Sequence, residues 1–235
     1  MEILGLIPAR GGSKGIYKKN LALLAGRPLV SYTCEAAQKS KLLNRTILST
    51  DDKEIADIGQ TWGIEVPFLR PKELSLDDTP ILPVINHALV WLAKNQNYHP
   101  DLIVLLQPTS PLRRTEDIDA AIQMMIDLKT DSVVSVVQIP HQYHPLSAMT
   151  LDNGLLKPYI AGEGTRLQSR QEKPAIYARN GPAVLVTRHK VIKSGSLYGE
   201  CITPYIMGWP ESLDIDMPFD LYLAECLLRG YDADT

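Results

Sequence analysis

Short apolar runs alternate along this chain with stretches whose apolar positions recur at helical spacing. Residues 2–7 (EILGLI) are apolar and rich in branched side chains, which predicts a buried strand close to the start. Pro28 opens a helix in which Leu29, Tyr32, Ala36 and Ala37 recur, to about Lys41. Residues 45–49 (RTILS) predict the second strand. Asp51 or Asp52 then caps a helix with Ile55, Ile58 and Trp62 inward, Gly63 ends it, and residues 64–66 predict a third short strand. After a loop at 68–79, Asp78 or Thr79 caps a long helix with Pro80 in its first turn. Its stripe is Ile81, Ile85, Ala88, Leu89 and Leu92. Residues 102–106 (LIVLL) are the most apolar segment and predict a central strand buried on both faces. Thr115 caps the next helix, where Glu116 and Asp117 suit the dipole. Residues 132–137, 182–187 and 201–207 predict further strands, and Met217-Pro218 starts a last helix to about Leu228. From about 139 to 180 the periodicity lapses and proline, glycine and polar residues increase, the mark of a functional or interface insert. The alternation predicts an α/β fold on a mostly parallel sheet, in one large domain.

Composition narrows this only a little. An apolar fraction of 45% with 22% charged residues suits an ordinary globular chain. A net charge of −3 gives no reason to expect a nucleic-acid or membrane partner. Cys34, Cys201 and Cys226 are few and widely spaced, so no disulfide framework is expected and a reducing, cytoplasmic setting fits. No apolar run reaches membrane-spanning length, and a charged loop follows the first strand where a signal peptide would need apolar residues.

In an open parallel sheet, ligands bind beyond the carboxyl ends of the strands. The first strand runs into Pro8-Ala9-Arg10-Gly11-Gly12-Ser13-Lys14-Gly15, then Lys18-Lys19-Asn20. Glycines let backbone N–H groups approach an anion, and Arg10, Lys14, Lys18 and Lys19 can supply countercharge. The spacing fits neither a Walker A loop nor the dinucleotide fingerprint. By itself the loop is open to two readings, a phosphate cradle and a solvated turn. After the central strand, Gln107-Pro108-Thr109-Ser110-Pro111 offers an amide and two hydroxyls on rigid turns. Near the end, Asp214-Ile215-Asp216 would place two carboxylates roughly 7 Å apart on one face of an extended segment. They could hold a hard cation or cap the helix at Pro218. Arg170 and Arg179 in the insert could pair with a carboxylate or a partner subunit. His141 and His144 lack further ligands, Cys34 and Cys226 fall on helices as core, and Trp62 and Trp91 read as packing residues.

The residues 7–15 with Lys18-Lys19-Asn20, the Q-P-T-S-P string and Asp-Ile-Asp before a helix together resemble the acylneuraminate cytidylyltransferases, across nearly the whole chain. The resemblance implies a Rossmann-like, mostly parallel sheet of the nucleotide-diphospho-sugar transferase type, spanning 1–235. It implies an inserted dimerisation arm at about 139–178, and hence a homodimer. It implies transfer of CMP from CTP to a nonulosonic acid with release of pyrophosphate, in the cytoplasm. Nucleotide-site roles then fall to Ala9, Arg10, Gly12, Ser13, Lys14, Lys19, Asn20, Gln107, Thr109 and Ser110. Gln107, Arg170, Tyr177 and Asn180 would meet the acceptor acid. Asp214 and Asp216 would hold Mg²⁺, with Arg10, Lys19 and Asp216 the catalytic set. The family's N-G-A strand is here Asn180-Gly181-Pro182-Ala183, a departure by one proline. The resemblance alone leaves two other readings: a transferase for another sugar or nucleotide, and an idle nucleotide-binding homologue.

Overall fold

A computed structural model describes residues 1–160 and 173–230. A mixed sheet carries strands in the order β11 (Ile202–Ile206), β6 (Ser132–Gln138), β10 (Leu185–Arg188), β5 (Leu102–Leu105), β1 (Ile3–Pro8) and β4 (Arg45–Ser49). A further strand, β9 (Tyr177–Arg179), pairs with the end of β6. Strands β4, β1, β5, β6 and β11 run the same way, while β10 and β9 run against them. The antiparallel pair has a consequence for the site. It brings the start of β10 to the same sheet edge as the carboxyl ends of the five parallel strands.

The pleat explains the two-sided core. Alternate residues of a strand face opposite ways, so Ile3 and Ile7 join one apolar cluster and Leu4 and Leu6 the other. The first cluster is roofed by α1 (Leu29–Gln38), α2 (Lys53–Thr61) and α4 (Thr115–Leu128), through residues such as Val30, Cys34, Ile55, Ile118 and Met125. The second is roofed by α3 (Ile81–Gln96) and α5 (His189–Lys193), through Ile85, Leu92 and Ile192. Both β1 and β5 are buried along their whole length, as their unbroken apolar runs require. A small third cluster joins Leu24 and Leu29 to Ile215 and Ala224 of α6 (Pro218–Leu228).

Several expectations are corrected. Residues 64–66 make only one isolated bridge, Ile47–Glu65, because Pro67 has no N–H to extend the ladder, and a second bridge, Thr50–Leu69, lies beyond that proline. Between the glycine loop and α1, β2 (Leu23–Leu24) and β3 (Arg27–Pro28) form a hairpin whose tip, Ala25 and Gly26, has positive φ at both positions. Neither Asp78 nor Thr79 caps α3; the Thr79 hydroxyl turns back to the Glu73 carbonyl and Pro80 occupies the cap position. Thr115 lies inside α4, and its hydroxyl bonds the Ala36 carbonyl. Cys34 is buried, but Cys226 is exposed on α6, a helix apolar nearly all round whose pattern selects no inward face. Asp52 does cap α2, accepting from the N–H groups of Glu54 and Ile55. Among the described residues no helix is long and apolar enough to cross a membrane.

Among the described residues the insert holds a two-stranded hairpin, β7 (Met149–Asp152) with β8 (Leu155–Pro158), preceded by short 3-10 turns. His144 is its pin, as a residue with a structural role would be. One ring nitrogen accepts from Leu146 N–H at 3.1 Å and the other meets the Pro174 carbonyl at 3.2 Å.

Candidate active site

Loops from the carboxyl edge of the sheet surround one open cavity. It is lined by Arg10, Gly12, Ser13, Lys19 and Asn20 from the glycine loop, by Gln107 and Thr109, and by Arg70, Asp77 and Thr79. The glycine loop is held by its own chemistry. Asn20 Nδ2 donates to the Arg10 carbonyl at 2.8 Å, folding the loop back on itself, and Gly11 N–H donates to Asp51 at 3.0 Å. Ala9 is fully buried, with its N–H on the Ser49 carbonyl. Gly15 lies so close to the Asp216 backbone carbonyl that a Cβ there would collide with it. Only glycine lets this loop touch the Asp214–Asp216 segment.

Lys19 fastens that contact. Its ammonium donates to the Ile215 carbonyl at 2.6 Å and to Asp216 Oδ1 at 2.8 Å, from a side chain only 13% exposed. Arg10 pairs with Asp77 at 2.7 Å, and Lys14 reaches the same carboxylate at 3.6 Å from the rim. Lys18 turns away to Glu54 and leaves the group of cations expected to face an anion. Arg70 is nearly buried at the cavity wall, held by Ser75 and, at 3.9 Å, by Asp51; burial lowers its pKa.

The two aspartates are not helix caps. The cap of α6 comes from Asp220, whose carboxylate accepts from the N–H groups of Asp216 and Met217. Ile215 points into the third apolar cluster, and its N–H bonds the Thr109 carbonyl at 2.8 Å. Asp214 is half-buried beside Thr109, with Gly181 packed against its carboxylate. Burial raises its pKa above the ordinary value, and one of its oxygens, Oδ1, is buried without a partner. An orphaned, desolvated carboxylate oxygen is the donor a hard cation takes. Among the described residues no group of three or more acidic, His or Cys side chains could hold a metal. Two carboxylates are a donor set that fits Mg²⁺, which accepts one or two carboxylates and completes its shell with phosphate and water.

The remaining sequence-predicted residues are placed as follows. Ser110 is fully buried behind the cavity wall, its hydroxyl unpartnered. Asn180 is 5% exposed, and its amide is engaged internally, accepting from Ser135 at 2.6 Å and donating to Ser212 at 2.9 Å. Tyr177 is exposed on β9 and does not line the cavity. Arg179 stacks over Tyr198. Arg170 lies outside the described residues. Arg70, Asp77 and Thr79 carried no motif of their own in the sequence. The rule about strand carboxyl ends could have found them, because their loop leaves the sheet just past the Thr50–Leu69 bridge.

A family model described as Cytidylyltransferase matches residues 4–222. CMP-N,N'-diacetyllegionaminic acid synthase of Legionella pneumophila is 34% identical over 97% of both chains. N-acylneuraminate cytidylyltransferase of Escherichia coli is 33% identical over 95% of this chain, which spans 51% of that longer protein. Among solved structures, CMP:2-keto-3-deoxy-manno-octonic acid synthetase complexed with CTP superposes with a TM-score of 0.69 over 97% of this chain and 99% of its own, at 16% identity. That likeness establishes the fold.

Proposed function

The chain belongs to the cytidylyltransferase family, and on that premise we propose that it transfers CMP from CTP to the anomeric hydroxyl of a nonulosonic acid. The observation that carries the reading is Lys19, which lines the cavity with Gln107 and Thr109 and whose ammonium ties the glycine loop to Asp216, just outside that lining. The hydroxyl oxygen attacks the α-phosphorus, the bond from that phosphorus to the pyrophosphate oxygen breaks, and the hydroxyl proton leaves to a base or solvent. Little of this chemistry needs a covalent partner from the protein. Positioning and neutralisation of charge carry it. Arg10 and Lys19, with Lys14 at the rim, meet the triphosphate. Gly12, Ser13 and Asn20 shape the cradle, and Gln107 and Thr109 face the nucleoside and acceptor.

Asp214 and Asp216 would hold Mg²⁺, which supplies charge neutralisation at the phosphates and a lowered pKa for a bound hydroxyl. The setting is the cytoplasm, which suits three free cysteines.

The test is a panel of nucleoside triphosphates crossed with sialic, legionaminic and pseudaminic acids, read by pyrophosphate release. CTP with one of these acids should turn over and the other nucleotides should not. Release with an eight-carbon ulosonate or a sugar phosphate alone would move the enzyme to another acceptor class.

The enzyme works as a homodimer in this reading. The β7–β8 hairpin presents Met149, Leu151, Leu155, Leu156 and Tyr159 to solvent. A lone two-stranded hairpin is marginal in water, and so much apolar surface on one arm calls for a cover. Replacing Leu151 and Leu155 together by aspartate should convert the dimer to monomer in sedimentation. A wild-type protein that sediments as a monomer would end the proposal.

A further inference from the structure

One buried cation is not used by the reaction. Arg113 closes the Gln107–Arg113 turn and is 3% exposed. Among the described residues no carboxylate lies within ion-pair distance of its guanidinium; Asp117 is the nearest acid acting on it. Its neighbour Cys34 is no counter-ion, because burial pushes that thiol up to about 12. Burial lowers Arg113 itself to about 10, so it stays charged at neutral pH. Desolvating a guanidinium is costly, and an apolar side chain of the same volume would fill the space without that cost. The cation must be serving its acceptors.

Those acceptors are informative. Nη1 donates to the Gln107 carbonyl at 3.0 Å and to the Ala183 carbonyl at 2.7 Å. Nη2 donates to Thr33 Oγ1 at 2.6 Å, on α1. Gln107 and Thr109 line the cavity. Thr109 carries the Ile215 N–H through its carbonyl, and Ile215 lies between the two aspartates. Ala183 stands two residues beyond Gly181, which packs on Asp214. One guanidinium thus ties the cavity-lining Gln107 turn and the segment that packs on Asp214 to helix α1.

We propose that Arg113 is a positioning residue of the active site, setting where Gln107, Thr109 and Asp214 stand relative to the glycine loop. The proposal rests on the cytidylyltransferase reading and extends it to a residue that touches no substrate. The planar fork serves three acceptors in three directions, which a lysine, a single ammonium at the end of a flexible stem, cannot reproduce. Displacement of the walls by a fraction of the length of a bond is enough to matter, since a 1 Å misplacement can cost about a hundredfold in rate.

The experiment compares wild type with Arg113→Lys and Thr33→Val in the full chain. It measures kcat, KM for CTP and for the acid, calorimetric CTP affinity and melting temperature. Arg113→Lys should melt cooperatively, lose roughly tenfold to a hundredfold in kcat/KM, and bind CTP correspondingly more weakly. Thr33→Val, which removes one acceptor of Arg113 together with the hydroxyl's own long bond to the Gln107 carbonyl and leaves the charge, should shift KM in the same direction by less. Wild-type kinetics per folded molecule in Arg113→Lys would overturn the proposal. So would a loss that follows the folded fraction with KM unchanged. If Arg113→Lys does not fold, Thr33→Val decides, and an unaltered KM there overturns it. A wild-type protein that neither binds CTP nor turns over removes the underlying reading, and the proposal with it.

Discussion

Lys19→Ala should lower pyrophosphate release by about a hundredfold to a thousandfold, the usual cost of removing one preorganised donor from a developing charge. The expectation follows from how the ammonium is spent. It has three protons; two go to the Ile215 carbonyl and Asp216, and the side chain lines the cavity, which leaves the third for the triphosphate proposed to bind there. The same bonds fix the Asp216 segment against Gly15. Removing them frees a carboxylate whose side chain is 73% exposed and which water can solvate, so the fold should survive. The checks are steady-state kinetics and thermal melting. Lys19→Ala and Asp216→Asn act on one pair, so the double variant should be little worse than the poorer single. Fully multiplicative losses would show that Lys19 does not act through Asp216, and near-normal turnover in Lys19→Ala would remove Lys19 from its role.

Much of this architecture is legible in the chain. An unbroken apolar run has one stable environment, so residues 2–7 and 102–106 announce the middle of the sheet. The loops after them then mark the site, because ligands gather at strand carboxyl ends. Strand direction is not written in periodicity, so nothing in residues 182–187 revealed that β10 runs backwards. That reversal is what brings the segment of Asn180, Gly181 and Ala183 to the carboxyl edge of the sheet, where Gly181 packs on Asp214.

Long-range charge pairing was equally hidden. Lys18 and Lys19 are neighbours, but Lys18 sits at φ 47 and its ammonium goes to α2, while that of Lys19 goes to Asp216. Asp77 looked like part of a polar loop, yet it reaches Arg10 and Lys14. The cap reading of Asp214 and Asp216 could be removed only by the fold. Its removal turned on Asp220, four residues past Asp216, taking the cap.

Asp214→Asn gives the second large effect, and it should move stability and activity in opposite directions. Burial raises the Asp214 pKa above its ordinary 3.8, Thr109 and Lys19 only partly oppose this, and Oδ1 is left unpartnered. The ionised carboxylate therefore weakens the metal-free fold. That penalty is absent below the ordinary carboxylate pKa, where folded and unfolded forms are both protonated. It reaches full size once pH rises past the raised value. Asparagine keeps the shape without the charge, so at neutral pH metal-free Asp214→Asn should melt no lower than wild type, with the difference vanishing toward pH 3.5. Magnesium should raise the melting temperature of wild type by mass action and leave the variant unmoved. Pyrophosphate release should require the divalent ion in wild type and fall by about a hundredfold or more in the variant. Equal magnesium-induced shifts in the two proteins would show that Asp214 is not a ligand. Turnover in the presence of excess chelator would rule out a metal role for the pair.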